Sequence, residues 1–175
     1  MNEHDLKHLL DEVKTARQMG VPPDAVSQSL RKLVNAHYQP ALDFFLDCLE
    51  DQRQEWRAQC LVLVGLHYDL MGNEVALDKI RGVLQHDPDR QLRIKAAEML
   101  ALHSDWPDYA LRSALENDPD NGVCFAACQA ILELLGIPRM IIRDELARLY
   151  TSGIMPRMDD VKRIVDSVKS NRPPR

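Results

Sequence analysis

The triplet Asp87-Pro88-Asp89 returns as Asp118-Pro119-Asp120, 31 positions later, and the residues around it keep the same apolar beat. Leu92, Ala96, Ala97 and Leu100 fall on Val123, Ala127, Cys128 and Ile131, while Ile80 and Leu84 fall on Leu111 and Leu115. A fixed period of this length marks an array of small units, each unable to bury its own apolar face and therefore stacked on its neighbours. An offset of 36 extends the pattern upstream: Asp51 falls on Asp87, Trp56 on Leu92, Arg57 on Arg93, Cys60 on Ala96, Leu61 on Ala97 and Val64 on Leu100. The five additional residues sit around Tyr68 to Asn73, where Asp69, Gly72 and Asn73 are turn-forming types.

The units are helical. Aromatic residues make up only 5% of a chain that is 45% apolar, so the core is built from Leu, Ile, Val and Ala, and no alternating strand pattern with hairpin turns is present. Periodicity predicts a first helix over residues 2–19, with Leu6, Leu9, Leu10, Val13 and Met19 on one stripe and Gly20 as its stop. Pro22-Pro23-Asp24 opens a second helix, with Val26, Leu30, Leu33 and Val34 as its buried stripe, and Pro40 opens a third. Helices follow over 54–66, with Trp56 as a packing residue, and over 73–85, which buries Val75, Ile80, Val83 and Leu84 and shows Asp78, Lys79, Arg81 and Gln85 to solvent. Further helices are expected over 90–102, over 107–116 with an N-cap in the segment before Pro107, over 122–135 ending at Gly136, and over 138–150 burying Ile142, Leu146 and Leu149. A last helix over 158–168 closes the array, and the tail 171–175 is expected to be disordered.

These residues resemble the HEAT-like helical repeats of the short, PBS-lyase type common in prokaryotic, including bacterial, proteins. In that family an Asp before the first helix of each repeat and an Arg six residues later form a ladder along the stack. Asp51 with Arg57 and Asp87 with Arg93 have that spacing, whereas Asp118 is followed at the same distance by Cys124. The resemblance covers roughly residues 40–150. It implies an all-α, single-domain fold over 1–170: a short right-handed α-solenoid of about four stacked helical hairpins, at about 22–50, 54–86, 90–117 and 121–150, with capping helices at both ends.

The resemblance also implies that the second helix of each hairpin lines a concave binding face. The residues it would expose are Asp43 and Asp47, then Asp78, Arg81 and Gln85, then Tyr109, Arg112 and Glu116, then Arg143 and Arg148. Arg81, Arg112 and Arg143 recur at one period and would form a row of guanidinium groups suited to carboxylates or phosphates; Asp78, Glu116 and Asp144 could equally balance three solvated arginines. The expected function is a non-catalytic protein-interaction module, an adaptor or scaffold for a protein or peptide, monomeric or dimerised end to end. The alternative is a HEAT-like enzyme or small-molecule binder of the bilin-lyase or DNA-glycosylase sort.

No Gly-x-Ser-x-Gly motif, Gly-rich phosphate loop or iron-holding His-Glu pair supports catalysis. No cofactor or metal is expected: His4 and His8 beside Asp11 have helix-face ligand spacing but read as a solvated face, and Cys124 and Cys128 read as core. Cys48 and Cys60 also read as buried, reduced thiols, and His67 and His103 as turn residues. Net charge is −5, divided as −8 over residues 1–120 and +3 beyond, and such an acidic body disfavours nucleic acid. The acidic start at Glu3 and Asp5 is unlike a secretory signal and no apolar run is long enough to span a membrane, so a cytoplasmic location is expected.

Overall fold

The computed structural model describes residues 1–170; the tail 171–175 lies outside the described residues. Ten α-helices make up the described chain, with no strand among the described residues. They are α1 (Glu3–Gln18), α2 (Ser27–Asn35), α3 (Gln39–Cys48), α4 (Gln54–His67), α5 (Glu74–His86), α6 (Arg90–His103), α7 (Tyr109–Asn117), α8 (Asn121–Leu134), α9 (Arg139–Thr151) and α10 (Met158–Ser170). No helix among the described residues is long and apolar enough to cross a membrane. The chain divides into two compact units, Met1–Leu70 and Met71–Arg175.

In the first unit α1 packs on α2, α3 packs on α4, and α2 reaches α4. Leu10, Val13, Leu30, Leu33, Phe45, Trp56 and Leu61 fill the space between them. Trp56 is fully buried and its indole N–H donates to the Val21 carbonyl at 3.1 Å, the partner that a buried indole needs. Gly20 ends α1 as expected, at φ 80°: its amide donates to the Arg17 carbonyl and the Val21 amide to Ala16, closing the last turn on itself. Met19, placed on the buried stripe by periodicity, is the cap residue outside that turn and is exposed. Pro22 and Pro23 open a 3-10 turn over Pro23–Val26 in place of an α-helix; Val26 departs to φ −114°, ψ 13°, and α2 begins only at Ser27.

In the second unit α6 packs on α5 and α8, and α7 packs on α5 and α8, so neighbouring helices form two layers; α9 and α10 both pack on α8. The positions that recur in sequence form its core, with Ile80, Leu84, Leu92, Ala96, Leu100, Leu111, Leu115, Val123, Ala127 and Ile131 all buried. The repeated triplet is a complete helix-to-helix connector. Its first Asp caps the turn, Asp87 Oδ1 accepting from the Asp89 amide at 2.8 Å and Asp118 Oδ1 from the Asp120 amide at 2.9 Å. Its second Asp is the N-cap of the next helix: Asp89 Oδ1 accepts from Gln91 N at 2.6 Å and Asp120 Oδ1 from Gly122 N at 2.9 Å. The proline between them holds an extended entry that no helix can run through. The closely packed consecutive pairs are therefore α5 with α6 and α7 with α8, each spanning a triplet, whereas the sequence period was divided into units that end before it.

Three expectations for this unit are corrected. Val75 is exposed and Ala76 and Leu77 are buried in its place, because they and not Val75 lie three or four residues before Ile80 on the stripe that continues through Val83 and Leu84. Leu146 is half-buried. The N-cap of α7 is Asp108, after Pro107 and not before it, with Oδ1 accepting from the Ala110 amide at 3.0 Å and the Leu111 amide at 3.1 Å.

Candidate partner-binding face

The residue six positions after each turn aspartate bonds back to that aspartate's carbonyl. Arg57 Nη1 donates to Asp51 O at 2.9 Å, Arg93 Nη1 donates to Asp87 O at 2.9 Å, and at the third position the Cys124 thiol donates to Asp118 O at 3.4 Å. Arg93 also reaches forward to the next turn, its Nε and Nη2 donating to the two oxygens of Asp118 at 2.8 and 2.9 Å. This fork raises the Arg93 pKa above its ordinary value, mainly through the bond to Asp118 and against the cost of burial. Cys124 has no such forward reach, and its thiol is pushed up by burial. In the first unit Asp51 receives Arg17 from α1 at 2.6 Å and Arg53 from its own turn at 3.0 Å. Burial alone would raise the Asp51 carboxyl, but the hydrogen bonds from Arg53 and Arg17 hold it well below the usual carboxylate range.

The seven residues expected to meet a partner, Arg81, Gln85, Tyr109, Arg112, Glu116, Arg143 and Arg148, all lie in the second unit but in unequal settings. Arg81 is corrected from a solvated donor to a fixed hub: its side chain is 12% exposed, its Nε donates to Asp108 Oδ2 at 2.5 Å, and its Nη1 donates to Asp78 at 2.6 Å and Glu74 at 3.0 Å. Burial would lower its pKa, yet the bonds to Asp108, Asp78 and Glu74 raise it, so it is a permanent cation that pins the N-cap of α7. Glu116 is likewise engaged, accepting from the Met158 amide at 2.8 Å and from Arg157, which fastens the start of α10. Gln85 is half-buried. Arg143 and Arg148 are exposed and pair with Asp144 and Glu145 on their own helix.

Tyr109 and Arg112 remain open. Tyr109 is 63% exposed, and Arg112, one helical turn further on the same face of α7, is exposed with no side-chain hydrogen bond among the described residues. The turn before α7 adds a residue that sequence reading passed over: Trp106 is 65% exposed, whereas Trp56 is fully buried. Leu102, at the end of α6, is exposed as well. The signal was available, since Trp106 lies in a turn with no core position of the period to fill. Pro107 beside it is buried and Asp108 is held by Arg81, so the turn that presents Trp106 and Tyr109 is anchored at both residues between them.

Among the described residues no three His, Cys, Asp or Glu side chains are placed to hold a metal ion. All four cysteines are free and buried, as expected, and burial pushes the Cys128 thiol up to about 12, far from a nucleophile at neutral pH. Comparison with protein-family models, with curated proteins and with solved structures finds no match.

Proposed function

We propose that the chain is built from HEAT-like repeats, with a stretch of right-handed α-solenoid in its second unit, and that it serves as a non-catalytic protein-interaction module. The local recurrence supports the repeat reading: Asp51, Asp87 and Asp118 each start a turn that the side chain six residues later ties down.

One observation carries the binding reading, the presentation of Trp106 and Tyr109 on an anchored turn beside the open guanidinium of Arg112. Exposed Trp, Tyr and Arg are the residue types that dominate binding energy at protein interfaces, and the two ring residues desolvate a large surface with little loss of rotamer freedom. Anchoring by Arg81 and Pro107 lowers the ordering cost further. The partner that suits this face is a protein or peptide with an apolar contact for the two rings and a carboxylate for Arg112.

Affinity capture from lysate with the wild type, Trp106→Ala and Arg112→Glu tests this. The expected result is a defined protein held by the wild type and lost by both variants, with helical content and melting temperature unchanged. Capture that survives both substitutions rules this face out as the site.

A further inference from the structure

The first unit contains a cleft of about 460 Å³ lined by Lys14, Arg17, Gln18, Gly20, Phe44, Asp47, Asp51 and Arg53. A recess of about 350 Å³ adjoins it, bounded by Arg17 and Arg53 again with Glu50, Asp51 and Gln52. We propose that this cleft binds an oxyanion, the carboxylate or phosphate group of a small ligand, between Arg17, Arg53 and Lys14. The proposal is independent of the partner-binding face, which lies in the other unit.

Two guanidinium groups converge on a single carboxylate. Arg53 spends its Nε and Nη2 edge on Asp51, each bond 3.0 Å, while Arg17 spends only its Nε, at 2.6 Å. Asp51 therefore engages one edge of Arg53 and a single N–H of Arg17, and the other N–H groups of both arginines stay available, with Asp47 and Glu50 the further carboxylates of the cleft and its recess. Nη1 and Nη2 of Arg17, Nη1 of Arg53 and the Lys14 ammonium have no hydrogen-bond acceptor among the described residues. The free edge of Arg17 is a two-pronged donor, the geometry that matches two oxygens of a carboxylate or phosphate.

Both arginines are held before any ligand arrives. The Arg17 guanidinium lies 5.7 Å from the centre of the Phe44 ring and that of Arg53 lies 5.7 Å from the Trp56 ring. Stacking on a ring and bonding to the nearly buried Asp51 fixes each side chain, so a ligand does not bear the cost of ordering them. Arg17 and Arg53 are only about a quarter to a third exposed, and partial desolvation strengthens a charge-assisted hydrogen bond. The volume is that of a small-molecule site. Asp47 on the same wall is exposed, so the cleft itself sets Lys14, Arg17 and Arg53 against Asp47 and Asp51.

The test is a nuclear magnetic resonance titration of the full chain, reading backbone amides and arginine Nε–Hε signals, with inorganic phosphate and separately with succinate at constant ionic strength. The expected result is a saturable shift of the Arg17 and Arg53 Nε–Hε signals and of the Gly20 amide with at least one probe. Response to phosphate alone assigns phosphate esters, response to succinate alone assigns carboxylates, and response to both assigns the shared oxyanion chemistry. Lys14→Gln removes a cation that holds nothing in the fold and should weaken binding roughly fivefold to tenfold while leaving the rest of the spectrum in place. Absence of any shift up to tens of millimolar overturns the proposal, as do unsaturable shifts that Lys14→Gln leaves unchanged.

Discussion

Replacing Arg93 with Met keeps the aliphatic stem and removes the charge that ties two successive turns together. The Arg93 and Asp118 side chains are 11% and 7% exposed, so the pair lies largely out of water. Breaking a buried pair by deleting one partner costs about 3–5 kcal/mol, since the remaining charge is left uncompensated. Asp118 keeps its bond from the Asp120 amide at 2.9 Å, which offsets part of the loss, so the cost should fall to about 2–4 kcal/mol. With a urea slope of about 1–3 kcal/mol/M, circular dichroism should record a midpoint lower by roughly 1 M or more. The double variant Arg93→Met with Asp118→Asn should show a coupling energy of about 1.5 kcal/mol or more. Arg139→Ala, which removes an arginine whose side chain is 81% exposed and only 3.5 Å from Glu133, is the control and should stay within about 0.5 kcal/mol of the wild type. An Arg93→Met variant no less stable than that control would refute the assignment of Arg93 as the bond between turns.

Two further outcomes follow from the same geometry. Asp108→Ala removes two N-cap bonds and the main partner of Arg81, and should cost about 1–2 kcal/mol by urea unfolding while lowering the steady-state anisotropy of Trp106, measured in a Trp56→Phe background. Asp51 has a folded pKa depressed below its unfolded value of about 3.9, so its contribution to stability is fully present above that pH and is lost progressively as pH falls below it. Melting temperatures followed from neutral pH into strong acid should fall more steeply for the wild type than for Asp51→Asn, and equal slopes would contradict the depressed pKa.

The helical architecture was legible because the period repeats short-range chemistry. Asp87-Pro88-Asp89 and Asp118-Pro119-Asp120 contain their own turn and cap, and Leu92, Ala96 and Leu100 lie on one stripe of a single helix, so neighbouring residues decide both. The setting of Arg81 was not legible for the opposite reason. Periodicity puts it on a polar face, and only Asp108, 27 residues later, turns it from a solvated donor into the clasp of α7. Arg17 and Asp51, 34 residues apart, joined unseen in the same way. Val75 was misplaced by less: it lies one position off the stripe of Ala76, Leu77, Ile80, Val83 and Leu84, although the helix starts within one residue of its expected place. Trp106 was overlooked because a turn residue carries no periodic signal, although its size in such a place was itself informative.

Where a partner touches the second unit decides whether the turn before α7 is a binding face. Amide hydrogen exchange of the protein alone and with the partner isolated by capture measures that directly, because burial of a face slows exchange in the backbone beneath it. Slowed exchange concentrated between Leu102 and Arg112 is the expected result. Protection confined to other segments, with residues 102–112 exchanging as fast in the complex as in the free chain, would contradict the proposed face.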